Sequence, residues 1–235
     1  MIKSFPFIFI LLWSSAFITT KPIVDNSEPF SALAFRFLIV AIGFFIFSYF
    51  SKKKIIISKK NVIESVLTGI LFHGLYLGGV FFSISKGMPT GIAALIVTLQ
   101  PILTNILAGP LLDEQISLKQ WLGVFLGFIG AALVLGFDIG ETIPISGVVA
   151  TFIALFAITG STIWQKKLSD NISLPVNNMY QAIGGFLFHS LVIILFVEPY
   201  INFNTTFAMA MAHQVLLVSF GAFTILMFLI KHNSA

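Results

Sequence analysis

The chain contains no cysteine, which excludes disulfides, thiolate metal sites and cysteine nucleophiles together and leaves the redox compartment undetermined. Charge is also scarce: Asp, Glu, Lys and Arg supply 9% of positions, against 57% hydrophobic. A soluble globule needs more polar surface than this, so the composition is that of an integral membrane protein. No carboxylate lies deep in an apolar run, and no pair of them shares one. His73 and His189 are followed by Gly74 and Ser190, so there is no HExxH signature, and neither a P-loop nor a dinucleotide fingerprint occurs. The sequence therefore predicts no enzyme, no metal and no cofactor.

What the chain has is apolar length. A helix needs about twenty apolar residues to cross a hydrocarbon core of roughly 30 Å. Runs of that kind lie at 5–20, 30–50, 63–85, 89–112, 121–137, 145–165, 176–197 and 208–230. A β-barrel would instead show alternating segments of about ten residues. The expected fold is an all-α integral membrane protein with about eight transmembrane helices.

The 13 Lys and Arg residues report orientation. Lys3, the five lysines of "KKKIIISKK" (52–60), Lys119, Lys166, Lys167 and Lys231 fall on one side; Lys21 and Lys86 fall on the other, and Arg36 sits inside a span. Excess basic charge marks the cytoplasmic side, so both termini are expected there, in a cell (inner) membrane, and nucleic-acid binding is not expected. The first 26 residues also have the layout of a secretory leader, a Lys, an apolar core and then small residues. An internal repeat argues for retaining that helix.

A shift of about 146 residues lays the chain over itself. Pro29 falls on Pro175, Ser15 on Ser161 and Lys21 on Lys167; with a one-residue slip Lys86 meets Lys231. One full unit holds five spans, an odd number, so a second copy enters the membrane from the opposite side, as in many secondary transporters. The units expected are 1–145 with five helices and 146–235 with three, an inverted five-helix repeat whose second copy is truncated.

The segment 88–136, "MPTGIAALIVTLQPILTNILAGPLLDEQISLKQWLGVFLGFIGAALVLG", resembles helices 4 and 5 of the EamA-like transporters of the drug/metabolite transporter superfamily. The matching pattern is "LQP" within helix 4, an acidic residue and "LKQWLG" at the turn, and a Gly-spaced helix 5. "LLWSSAFITTKPIVD" and "PFSALAFRFLIVAIG" resemble helices 1 and 2 of the same family. The resemblance implies ten helices in two inverted halves around a central pathway, moving amino acids, metabolites, nucleotide sugars or toxic compounds. Against it, "IKHNSA" stands where the first unit reads "SKGMPTG", and counterparts of helices 4 and 5 do not follow.

Candidate site residues are polar groups inside the spans. Arg36 lies seven residues past Pro29, roughly 10 Å into the core at 1.5 Å per residue. A central Arg costs about 2.5–3.5 kcal/mol on insertion scales, so it faces protein or water. It reads either as a counter-charge for an anionic solute, or as a cation that snorkels to the outer interface or forms a structural ion pair. On helix 3, His73, Tyr76, Val80 and Ser83 form one stripe. His73 suits proton coupling, solute binding or an interhelical hydrogen bond. Gln100 precedes Pro101, whose missing N–H predicts a kink that exposes carbonyls. Trp13 and Ser15 on helix 1, their repeat mate Ser161, and Tyr180 and Gln181 on helix 7 complete the set of solute-binding candidates. Gly123, Gly127 and Gly130 read as a packing face, and His213 and His232 as solvated.

The function these features predict is efflux of small metabolites, amino acids or drugs by alternating access, with proton coupling. The partners expected are the lipid bilayer, a small-molecule substrate and, for dimerisation, a second copy. The alternative is a truncated, non-transporting membrane protein, or a subunit completed by another chain.

Overall fold

Apolar runs of twenty residues have one way to satisfy their backbone in lipid, and the computed structural model takes it: helices throughout, with no strand among the described residues. It describes residues 4–104, 107, 117–135, 143–168 and 172–232. The helices are α1 (Phe5–Val24), α2 (Pro29–Phe50), α3 (Lys59–Ser85), α4 (Thr90–Thr104), α5 (Leu118–Leu135), α6 (Ile145–Leu168), α7 (Leu174–Phe196) and α8 (Thr205–Ile230). Six of these, α1, α2, α3, α6, α7 and α8, are long and apolar enough to cross a membrane. The expected span 89–112 is represented by the shorter α4, and 105–106 and 108–112 lie outside the described residues.

Local chemistry fixes where the helices start. Glu28 caps α2 by accepting from the backbone N–H groups of Phe30 at 3.0 Å and Ser31 at 2.7 Å, and Pro29 fills a first-turn position where no N–H is needed. Ser58 caps α3 by accepting from Asn61 N–H at 3.2 Å, and Asn204 caps α8 by accepting from Phe207 N–H at 2.9 Å. Gly87, with φ +92°, ends the α3 segment in the left-handed conformation that glycine adopts without strain. The kink expected at Pro101 is present. Helix Thr90–Val97 ends in a turn at 98–99, with tightened bonds from Thr98 N–H to Leu95 O and Leu99 N–H to Ile96 O, both 3.1 Å.

Two long helices carry a π-helical turn, Ile70–Tyr76 within α3 and Gln214–Ala222 within α8. The strongest packing joins α2 to α7 and α3 to both α6 and α7. In lipid, close backbone approach replaces the hydrophobic effect as the driving force, and here it is made by glycine. A Cβ on Gly69 would land inside the Gln181 carbonyl, and one on Gly184 inside the Val66 carbonyl. Ser65 Oγ donates to Asn177 Oδ1 at 2.8 Å across the same seam, and Gln181 bonds Gln165 of α6 just beyond it. At the opposite end, the α1–α2 turn pairs with the α7–α8 connection. Glu28 N–H donates to Tyr200 O at 2.9 Å and Asn202 N–H to Asn26 O at 2.8 Å.

Of the glycine face expected on α5, the surroundings of Gly127 and Gly130 lie outside the described residues. Nothing lies within 4 Å of a Cβ on Gly123 among the described residues, and α5 packs mainly on α4.

Glycine at the α3–α7 seam is a packing requirement, which predicts that Gly69→Ala costs on the order of 1–3 kcal/mol by overpacking. Gly160→Ala, where a Cβ meets nothing within 4 Å among the described residues, stays within about 0.5 kcal/mol. Melting temperatures of the two variants in detergent check this; equal values contradict the seam.

Candidate functional site

Where α1, α2, α3 and α8 meet, their side chains surround a cavity of about 30 Å³, enough for about two water molecules. Helix α1 contributes Trp13, Phe17 and Thr20; α2 contributes Arg36; α3 contributes Phe72, His73, Tyr76, Val80 and Phe81; α8 contributes Gln214, Val218, Ser219 and Phe223. Aromatic rings form the shell. Trp13 and Phe72 sit 6.0 Å apart, Phe72 and Phe223 5.0 Å, and Phe37 and His73 4.4 Å between centroids.

Arg36 is 2% exposed. Its Nε–H donates to Ser219 Oγ at 3.0 Å and its Cζ lies 5.3 Å from the Phe37 ring centroid, while Nη1 is buried with no hydrogen-bond partner. Of its two sequence readings, snorkelling to the interface is set aside by this burial. Among the described residues the ion pairs are Lys21–Asp25 and Lys60–Glu64, both at helix ends, so no carboxylate there balances Arg36.

Helix α8 places Gln214 against α1. Its Nε2 donates to Ala16 O at 2.8 Å and Thr19 Oγ1 at 2.9 Å, leaving Oε1 buried and unpartnered. His213 was expected to be solvated. It is instead half-buried, with Nε2 3.1 Å from Ser15 Oγ and Nδ1 3.2 Å from Thr19 Oγ1. Three polar residues of α1 face α8, and the ring sits among them. The side chain of His232 lies outside the described residues.

Four of the nine sequence candidates, Trp13, Arg36, His73 and Tyr76, line the cavity. The other five are placed elsewhere. Ser15 Oγ donates to Leu12 O at 2.8 Å; Gln100 Nε2 donates to Thr104 Oγ1 at 2.9 Å; Ser161 Oγ donates to Ile158 O at 3.0 Å; Tyr180 OH donates to Ile55 O at 3.3 Å; Gln181 is held by Gln165. Hydroxyls in apolar helices commonly bond their own backbone, and Ser15 and Ser161 do so here. Sequence reasoning missed Thr20, Gln214 and Ser219. A Gln and a Ser within the apolar run 208–230 were the available signal, since polar groups inside a span are expensive unless used.

Behind the cavity wall stands a second ring. His189 of α7 is fully buried and lies 2.9 Å from the backbone carbonyl of His73 through Nε2, which must carry the proton because a carbonyl only accepts. That carbonyl belongs to the π-helical turn Ile70–Tyr76, where i→i+5 bonding disturbs the regular ladder. His189 thus fastens the turn that presents His73 and Tyr76 to the cavity.

The arrangement defines a polytopic α-helical membrane protein with a charged group buried beside an internal cavity. The EamA-like transporter family matches residues 4–136, more than half of the chain, and the chain belongs to that family. It is a transporter-family protein and not an enzyme. Similar proteins include a probable amino-acid metabolite efflux pump of Salmonella typhimurium, 26% identical over 172 residues that cover 71% of this chain and 54% of that protein. The uncharacterized transporter YyaM of Bacillus subtilis is 31% identical over 190 residues, covering 75% of this chain and 60% of its own. The chain thus spans little more than half the length of these relatives. A solved crystal structure, titled only as that of a protein, shares the fold with a TM-score of 0.76 over 97% of this chain and 78% of its own, at 20% identity.

The fastening role of His189 predicts a split between two variants. His189→Gln keeps a donor at similar reach and holds the melting temperature near that of the parent. His189→Leu removes the hydrogen bond to the buried His73 carbonyl, at about 0.5–1.5 kcal/mol, and lowers it by a few degrees. Equal melting temperatures contradict the assignment.

Proposed function

We propose that the chain forms the solute pathway of an efflux transporter for small polar or amphipathic metabolites. It lies in the cell (inner) membrane with both termini cytoplasmic, and works by alternating access of two inverted units, 1–145 and 146–235. The observation that carries the reading is the cavity, because its wall comes from α1–α3 on one side of the proposed boundary and α8 on the other. Amino-acid metabolites, the cargo named for the Salmonella relative, fall within this solute class.

Support for two units comes from the helix bounds. A displacement of about 146 residues carries Pro29–Phe50 onto 175–196, against Leu174–Phe196 for α7, and Lys59 onto Thr205, the first residue of α8. The capping residue Ser58 falls on the capping residue Asn204, and Ile70–Tyr76 falls on 216–222, inside the π-helical turn Gln214–Ala222. Rocking one unit against the other around a fixed site is the motion such a plan permits. His73, buried in the wall with Nδ1 unpartnered, is the group through which proton coupling would enter. Within this reading α5, with its open Gly123 face, takes further neighbours from a second copy or from another chain.

Reconstitution tests the proposal. Proteoliposomes of this chain, loaded with labelled amino acids, small organic acids or amphipathic drugs, release at least one of them faster than protein-free liposomes. Release slows in Tyr76→Ala and responds to an imposed pH gradient. No protein-dependent flux of any of these solutes overturns it.

A further inference from the structure

We infer that the group bound in the cavity is the carboxylate of a small organic monoanion, held by Arg36, and that a solute bearing an ammonium is disfavoured there. This deepens the transport reading by naming the solute class of the same site. Arg36 is the one charged residue among those lining the cavity, and no described carboxylate pairs with it. Its guanidinium is anchored by Nε to Ser219 Oγ at 3.0 Å, and its Cζ lies over the Phe37 ring, 5.3 Å from the centroid. Nη1 remains buried with an unused donor. A planar guanidinium with Nη1 unpartnered matches a carboxylate in shape as well as in charge.

The rest of the wall sorts the alternatives. An ammonium would meet a like charge from Arg36 and find neutral acceptors alone: Gln214 Oε1 and His73 Nδ1, which lack partners, and the Thr20, Tyr76 and Ser219 hydroxyls. It would find no acid among the described residues of the wall. The ring faces of Trp13, Phe72 and Phe223 suit an alkyl or aryl body. A cavity of about 30 Å³ is small, so a short-chain acid is the probe of choice. Phosphate is the competing anion: a guanidinium fork also binds it bidentately, but it is bulkier and carries more charge than Arg36 alone balances.

Three solutes with three-carbon skeletons decide the matter: propionate, L-alanine and propylamine, each titrated against the purified chain in detergent at matched ionic strength while the melting temperature is followed. Propionate gives a saturable rise of a few degrees, as a ligand binding the folded state must. L-alanine gives less and propylamine none. The rise disappears in Arg36→Gln and survives, reduced, in Arg36→Lys. Should Arg36→Gln fail to fold, the ranking of the three solutes on the unaltered chain still decides. A rise equal for propylamine or L-alanine overturns the inference, and so does a rise matched by chloride, by inorganic phosphate alone, or by propionate acting on Arg36→Gln. Stabilisation by propionate with no flux in proteoliposomes sinks the transport reading and leaves the anion site; flux of amines without such stabilisation does the reverse.

Discussion

A positive charge buried in an apolar helical bundle organises this molecule. Arg36 sits on a helix whose neighbours are largely Phe, Leu, Ile and Val, and placing an arginine at the centre of a span costs about 2.5–3.5 kcal/mol on insertion scales. The bundle offsets part of that cost without supplying an opposite charge. Ser219 accepts one N–H, the Phe37 ring lies against the guanidinium, and the cavity leaves room for polar contact on the remaining face. Helix α8 must therefore approach α2 closely enough for Ser219 to reach, and α1 must hold α8 in place, which Gln214 achieves through its bonds to Ala16 and Thr19.

Two of the four cavity-lining helices, α3 and α8, depart from regular α-helix beside this site. The π-helical turns occupy the stretches that face Arg36, Ile70–Tyr76 on α3 and Gln214–Ala222 on α8. A widened turn leaves backbone groups to be satisfied from outside the helix, and His189 does this for His73 O. Beyond it, glycine at 69 and 184 draws α3 and α7 together at the other end of the bundle. The tight seam and the cavity thus lie on successive parts of α3.

Legibility in the sequence followed the strength of the local signal. Helix number and type were readable from apolar length, and the start of α2 from Pro29, because these depend on hydration and backbone chemistry within a few residues. Arg36 and His73 were readable because ionisable groups in lipid are few. Gln181 and Tyr180 were equally conspicuous yet serve the α6–α7 contact and the 51–58 connection, since which face of a helix meets the cavity depends on its neighbours. Gln214 and Ser219 were the converse. They lie in an apolar run, and a π-helical turn shifts the angular position of each residue, so a 3.6-residue wheel could not group them with Arg36. The His189–His73 bond joins residues 116 apart and had no local signature.

The central claim is that Arg36 keeps its charge uncompensated beside a solute-accessible cavity. The absence of cysteine makes the chain its own background for a direct measurement. Val218→Cys places a single thiol in the cavity wall, where its reaction with an anionic and a cationic methanethiosulfonate reagent can be timed. The account predicts that the anionic reagent is favoured relative to the ratio for a free thiol, and that this preference vanishes when Arg36→Gln is added. A ratio equal to that of a free thiol, or one unchanged by Arg36→Gln, would contradict it.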